Sequence, residues 1–206
     1  MVDTESKFAK IISYLFHPLL MPTYGFAFIF FTENYISTFI PEILKFIILG
    51  VTFLFTFLLP TVNALILLKM KRIQSLEMET NQERIIPFSS TALYFFALLY
   101  LFYDAEFPSI FKIVILGAGI SILLTFIINF KWKISAHTIG IGGIAGATLG
   151  LIYRIQMDTS VAFIAILLVS GLVGYARLKL KAHTPAQVYT GFLLGFFIEL
   201  GLMLYY

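Results

Sequence analysis

Residues 161–205 read VAFIAILLVSGLVGYARLKLKAHTPAQVYTGFLLGFFIELGLMLY. Two apolar runs, 161–176 and 186–205, flank a short stretch that holds Arg177, Lys179, Lys181 and His183. A helix crosses the hydrocarbon core of a bilayer with about 20 apolar residues, and spans near 17 occur. The two runs therefore read as membrane helices joined by a polar turn. A turn this short makes them antiparallel neighbours.

The same pattern extends along the chain. Apolar segments lie at 11–31, 43–68, 88–103, 107–130, 138–153, 161–176 and 186–205. The third, fifth and sixth are short at their strict apolar limits and need their polar flanks to span. The third also fits a re-entrant segment. The first holds His17, Pro18 and Pro22, which predicts a kink or an interfacial start. Over 206 residues the chain is 60% hydrophobic and 12% charged, too little polar surface to clothe a soluble core. The expected fold is all-α, a polytopic membrane helix bundle of six or seven transmembrane helices, with residues 1–206 forming a single integral membrane domain.

Composition removes several chemistries. There is no cysteine, hence no disulfide framework and no thiolate site. The N-terminus, MVDTESKFAK, is acidic as well as basic and does not read as a cleaved signal peptide. The stretch HTIGIGGIAGATLG (137–150), with Gly142, Gly146 and Gly150 four apart, follows no strand, so a nucleotide-binding loop is not expected. Small residues at this spacing let helix backbones approach closely in lipid. Gly191 and Gly195 repeat the pattern in the last segment. No nucleic-acid partner is expected.

Charge is distributed by side. With seven spans, the N-terminus and the loops 69–87, 131–137 and 177–185 share one face, which carries 11 of the 14 Lys and Arg; Lys45, Lys112 and Arg154 lie on the other. The excess of cations marks the cytoplasmic side. The N-terminus is thus expected inside and the C-terminus outside, in what reads as a bacterial cytoplasmic membrane protein.

That face also holds the three polar clusters that interrupt the apolar pattern. They are ETNQERIIPF (79–88), KWKISAHTIG (131–140) and ARLKLKAHTPAQ (176–187). The last two each place a histidine at or near a helix N-terminus, where backbone N–H groups and the helix dipole favour an anion. Arginine adds a bidentate fork for phosphate oxygens. The combination points to a phosphate site. Lys179 and Lys181 fit a role in topology and headgroup contact. Lys133, four residues before His137, is a candidate for the site itself. Of the intramembrane polar groups, Glu199 is expected near the far interface, about 18 Å along a helix from Gln187, and His17 beside Pro18 is expected in a groove between helices.

These clusters resemble the signatures of the type 2 phosphatidic acid phosphatases, relatives of the vanadium haloperoxidases. Arg177 and His183 have the spacing of the third signature, Ser-Arg, five residues, His, three residues, Asp. ISAH (134–137) is similar to the second, Pro-Ser-Gly-His, through Ser135 and His137. Arg84, with Pro87 close by, is the candidate for the first, Lys, six residues, Arg-Pro. The resemblance spans about residues 70–195. It implies a metal-independent hydrolysis of a lipid phosphate or polyprenyl diphosphate, with no cofactor. His183 would attack phosphorus, His137 would protonate the leaving oxygen, and Arg84 and Arg177 would hold the non-bridging oxygens. Ser135 and the backbone N–H of Ala136 would assist.

The chain departs from these signatures at defined places. Glu77 stands for the Lys and Ile85 for the Pro of the first, Ile134 and Ala136 for Pro and Gly of the second, and Ala176 for Ser of the third. Gln187 stands where an Asp would orient the nucleophilic histidine. Two readings of Gln187 are open. Its amide oxygen can accept from a histidine Nδ1–H; equally, TPAQ (184–187) reads as a capping box with proline at the first helical position. The enzyme reading is therefore set beside two others, a headgroup-binding carrier or assembly subunit without turnover, and a transferase that hands the phosphoryl group to an acceptor other than water. In each case the partner is a membrane lipid with a phosphate headgroup.

Overall fold

The computed structural model describes residues 4–78, 80–106, 108–156 and 158–205. Glu79, the first residue of the 79–88 cluster, lies outside them. Among the described residues there is no strand, and seven helical segments are long and apolar enough to cross a membrane. The upper number of the expected six or seven is the observed one, and the chain is an integral membrane protein.

The first span is broken. Helix α1 covers Thr4–Leu15 and α2 covers Met21–Phe31, with a 3-10 turn at Pro18–Leu20 between them. His17 is extended, at φ −66° and ψ 134°, as the residue before a proline must often be. Pro18 and Pro22 then occupy first-turn positions, where a missing N–H costs nothing. The expected kink is thus a break between two helices.

A short helix α3 (Tyr35–Phe39) leads into the second span, formed by α4 (Glu42–Phe53), a π turn (Leu54–Leu58) and α5 (Leu59–Lys69). Pro60 explains the wide turn. It has no N–H for the carbonyl four residues back, and its ring crowds that carbonyl, so the ladder loosens there.

Helix α6 (Ile85–Tyr103) is a full transmembrane helix, which excludes the re-entrant alternative for the third segment. The remaining spans are α7 (Ser109–Asn129), α8 (Ala136–Ile155), α9 (Ser160–Lys179) and α10 (Pro185–Tyr205). Outward-facing residues are large and apolar. Phe39, Leu93 and Val161 are 81%, 70% and 83% exposed, which is the expected surface for lipid contact. One internal cluster centres on Phe26, Phe30 and Phe111, whose rings stand 4.8 to 6.3 Å apart.

The most extensive helix pairing joins α8 and α10. Both start at the same end of the bundle, so they run parallel. Their glycines interlock: a Cβ on Gly142 would lie 2.2 Å from the Phe192 carbonyl oxygen, and one on Gly195 would lie 2.0 Å from that of Ile139. The glycine stripes of the sequence are therefore packing devices. Replacing Gly195 by Ala is expected to lower stability by about 1–3 kcal/mol or more. Gly171→Ala, which meets nothing within 4 Å, is expected to be neutral or slightly stabilising. Thermal unfolding of both variants in detergent tests this, and equal effects would refute a packing role for Gly195.

Candidate active site

Three chain segments meet at the end of the bundle where α8 and α10 begin. Each is held by local sequence. Helix α9 closes with Lys181 in the left-handed conformation, at φ 52°. Lys181 N–H donates to the Leu178 carbonyl at 2.9 Å, and Ala182 N–H to that of Arg177 at 3.1 Å. This is the Schellman closure of a helix, with lysine where glycine is usual. It folds the chain back so that Arg177, in the last turn of α9, and His183 both line one cavity.

The loop between α7 and α8 is fastened to this turn by two hydrogen bonds. Ser135 N–H donates to the Gln187 carbonyl at 3.3 Å. His183 Nδ1 lies 3.1 Å from the Lys133 carbonyl. A carbonyl only accepts, so Nδ1 carries the proton and Nε2 keeps its lone pair. The orientation that the sequence reading offered to Gln187 is thus supplied by the backbone of Lys133.

Gln187 does something else. Its Oε1 accepts from Thr184 N–H at 3.0 Å, while the Thr184 hydroxyl accepts from Gln187 N–H at 3.4 Å. This is the reciprocal capping box of α10. Gln187 does not line the cavity, and its side chain is engaged at the helix cap. Ser135 is engaged in a similar way. It is fully buried, its hydroxyl accepts from Thr138 N–H at 3.4 Å as the cap of α8, and it is not among the cavity residues. Lys133, Ala136 and His137 do line the cavity.

Arg84 enters from the start of α6. It is 6% exposed, its Nε donates to the Met78 carbonyl at 2.8 Å, and its guanidinium carbon stands 5.9 Å from the centre of the Phe88 ring. The loop before it is tied by the Glu83 carboxylate, which accepts from the N–H groups of Gln74 and Thr80. Glu77, which stands at the lysine position of the first signature, lines the same cavity. Lys179 is paired with Glu5.

Two further residues come from the N-terminal span, where motif spacing gave no signal. The Ser13 hydroxyl accepts from Arg177 Nη1 at 3.1 Å, and the Ser13 carbonyl takes His137 Nε2 at 3.2 Å. His17 stands edge-on to His137 with ring centres 5.5 Å apart, and its Nδ1 accepts from Leu19 N–H. His17 therefore lines a groove between helices as expected, and that groove is the cavity that His137 and His183 also line. The Nε of Arg177 is buried without a protein acceptor.

Burial dominates the electrostatics of His183. It lowers the pKa to about 4, and the positive charges of Arg177, Arg84 and Lys133 act in the same direction, against the Lys133 carbonyl. A neutral, Nδ1-protonated imidazole beside two guanidinium groups can act as a nucleophile towards an anion they hold.

Residues 125–206 match the family model described as the PAP2 superfamily. The match takes in the end of α7 and all of α8–α10, and with them both histidine motifs. That part of the chain, less than half of it, is thus similar to the type 2 phosphatidic acid phosphatase superfamily. Comparison with curated proteins and with solved structures gave no match.

The folded pKa of His183 lies below its unfolded value near 6.5. The unfolded chain then binds the proton more readily, so this group's contribution to stability is complete above about pH 6.5 and is lost as pH falls towards 4. Nitrogen-15 NMR of the histidine side chains in micelles, assigned with His183→Gln, is expected to give a midpoint near 4 for His183. A midpoint near 6.5 would contradict the burial and charge described here.

Proposed function

We propose that the protein is a membrane phosphatase that hydrolyses a phosphate ester or diphosphate of a lipid through a phosphohistidine. The observation that carries this reading is the fixed His183 ring, with Nδ1–H on the Lys133 carbonyl and Nε2 free, in a cavity it shares with Arg84 and Arg177. The similarity of residues 125–206 to the superfamily supports phosphatase activity on phosphate esters.

In the first step His183 Nε2 attacks phosphorus and the bond to the ester oxygen breaks. His137, protonated, gives its proton to that leaving oxygen; the Ser13 carbonyl on Nε2 stabilises the charged ring. Arg84 and Arg177 hold the non-bridging oxygens, joined by the Ala136 N–H at the start of α8 and by the Lys133 ammonium. In the second step water, deprotonated by His137, attacks the phosphohistidine. Inorganic phosphate leaves and His183 is restored. The Lys133 carbonyl fixes the tautomer, as an aspartate does in a triad, but brings no full charge to the imidazolium.

A second reading, headgroup binding without turnover, draws on Glu77 and Ala176, which remove a lysine and a serine from signature positions. One assay separates the two: phosphate release from lipid phosphates by purified protein. Turnover is expected, reduced at least about 10³-fold in His183→Ala. His137→Ala is expected to lose about 10²–10⁴-fold on alkyl esters, and much less on nitrophenyl phosphate, whose leaving group needs no proton. Gln187→Ala should cost less than about 10-fold, against about 10⁴ for a carboxylate that orients a triad histidine. No release, or release that survives His183→Ala, overturns the enzyme. Phospholipid binding lost in Arg177→Ala without any turnover would establish the binder.

The site faces the cytoplasm in this reading, which rests on the 11-to-3 division of cations. Arg72 is exposed at that end and the chain has no cysteine. Arg72→Cys is expected to react with an impermeant maleimide only after cells are opened. Labelling of intact cells would reverse the orientation.

A further inference from the structure

The cavity that begins at the histidines does not end there. It has a volume of about 1390 Å³ and runs into the bundle between α2, α6, α7 and α8. Along α8 its lining extends from His137 to Leu151, about 21 Å of helix. That is a large part of the roughly 30 Å hydrocarbon thickness. Most of its wall is apolar, as a lipid chain requires.

One part of the wall is not apolar. Glu199 of α10 was expected near the far interface; instead it is 3% exposed and lines this cavity. Room is made for it by two glycines. A Cβ on Gly117 would lie 2.5 to 2.6 Å from the Glu199 carboxyl atoms, and one on Gly143 would lie 3.4 Å from its Cγ. Gly143 is six residues along α8 from His137, which puts the carboxyl roughly 9 Å deeper than that histidine. Glu199 Oε2 has no hydrogen-bond partner in the protein. Ser121, one helical turn from Gly117 on α7, also lines the cavity, is 6% exposed, and has an unpartnered hydroxyl. Buried polar groups are nearly always hydrogen-bonded, and carboxyls inside a membrane are rare and face functional cavities. Two unsatisfied groups in the wall of one apolar chamber, one helical turn apart along α7 by way of Gly117, point to a ligand with a polar atom at that depth.

We propose that Glu199 and Ser121 form a second recognition point that selects a lipid phosphate bearing a hydroxyl on its chain, at a depth roughly 9 Å beyond His137. A hydroxyl both donates and accepts, so it serves the carboxyl in either ionisation state and the Ser121 hydroxyl together. A plain polyprenyl or alkyl chain would leave both groups unpaired. Sites built to bond a hydroxyl reject the analogue that lacks it for this reason. The inference rests on the phosphate end being the site described above.

The test is a series of long-chain alkyl phosphates in which one hydroxyl is moved along the chain, compared with the unsubstituted chain of equal length. Phosphate release is expected to show a single optimum, with kcat/KM at least about 10-fold above the plain chain. Glu199→Gln keeps an acceptor and should retain part of the preference; Glu199→Leu and Ser121→Ala should flatten it. The ratio of two lipids on the same sample is the readout, so loss of folded protein does not mimic the result. If no lipid is hydrolysed, the phosphatase reading has failed, and the same series is then scored by the rise it gives in thermal unfolding temperature. An optimum there still supports the second recognition point. A flat series in the wild type, or a preference that persists in Glu199→Leu, overturns it.

Discussion

The close approach of α8 and α10 governs everything at this end of the molecule. Helices in lipid gain nothing from hiding apolar surface, so contact depends on how near their backbones can come. Gly142, Gly146 and Gly195 leave no side chain between the two, and carbonyl oxygens of each helix occupy the space. Two parallel helices so joined begin at the same level. Their first turns, with the loops that precede them, are forced together. That is why a carbonyl in one loop, Lys133, reaches the ring of a histidine in the other.

The remainder of the site is an arrangement of positive groups in a place that disfavours charge. Arg84 spends its Nε on the Met78 carbonyl and Arg177 rests on the Ser13 hydroxyl. The N-terminal span, broken at His17 and Pro18, supplies that serine and touches His137 as well. Residues outside the matched part of the chain thus complete the surroundings of the matched part. The far end is treated differently. There Lys45 pairs with Glu42 at 2.5 Å, while Lys112 and Arg154 donate to the carbonyls of Tyr103 and Met203. Cations at that end secure helix termini; at the other they line a cavity.

Much of the site was legible because its spacing is local. Arg177 and His183 are brought together by a single helix closure, and a capping box written as TPAQ forms as one. What sequence could not weigh was competition for a side chain. Gln187 had two plausible partners, and the helix terminus took it because Thr184 is adjacent while a backbone carbonyl already occupied Nδ1 of His183. Ser135 was likewise claimed by its own helix. Ser13 had no signal at all, since its role arises from a contact with Arg177, 164 residues later.

The sequence by itself determined the apolar spans, the break in the first of them, the glycine seam and the side on which the cations gather. Each follows from residues near one another in the chain, through helix length, proline geometry or spacing on one face. Only the tertiary structure decided which groups face one another across helices. It moved Glu199 from an expected interface to the wall of an internal cavity, because Gly117 and Gly143 on two other helices leave room there. A carboxyl's depth in a membrane is set by its neighbours' missing side chains as much as by its own place in a helix.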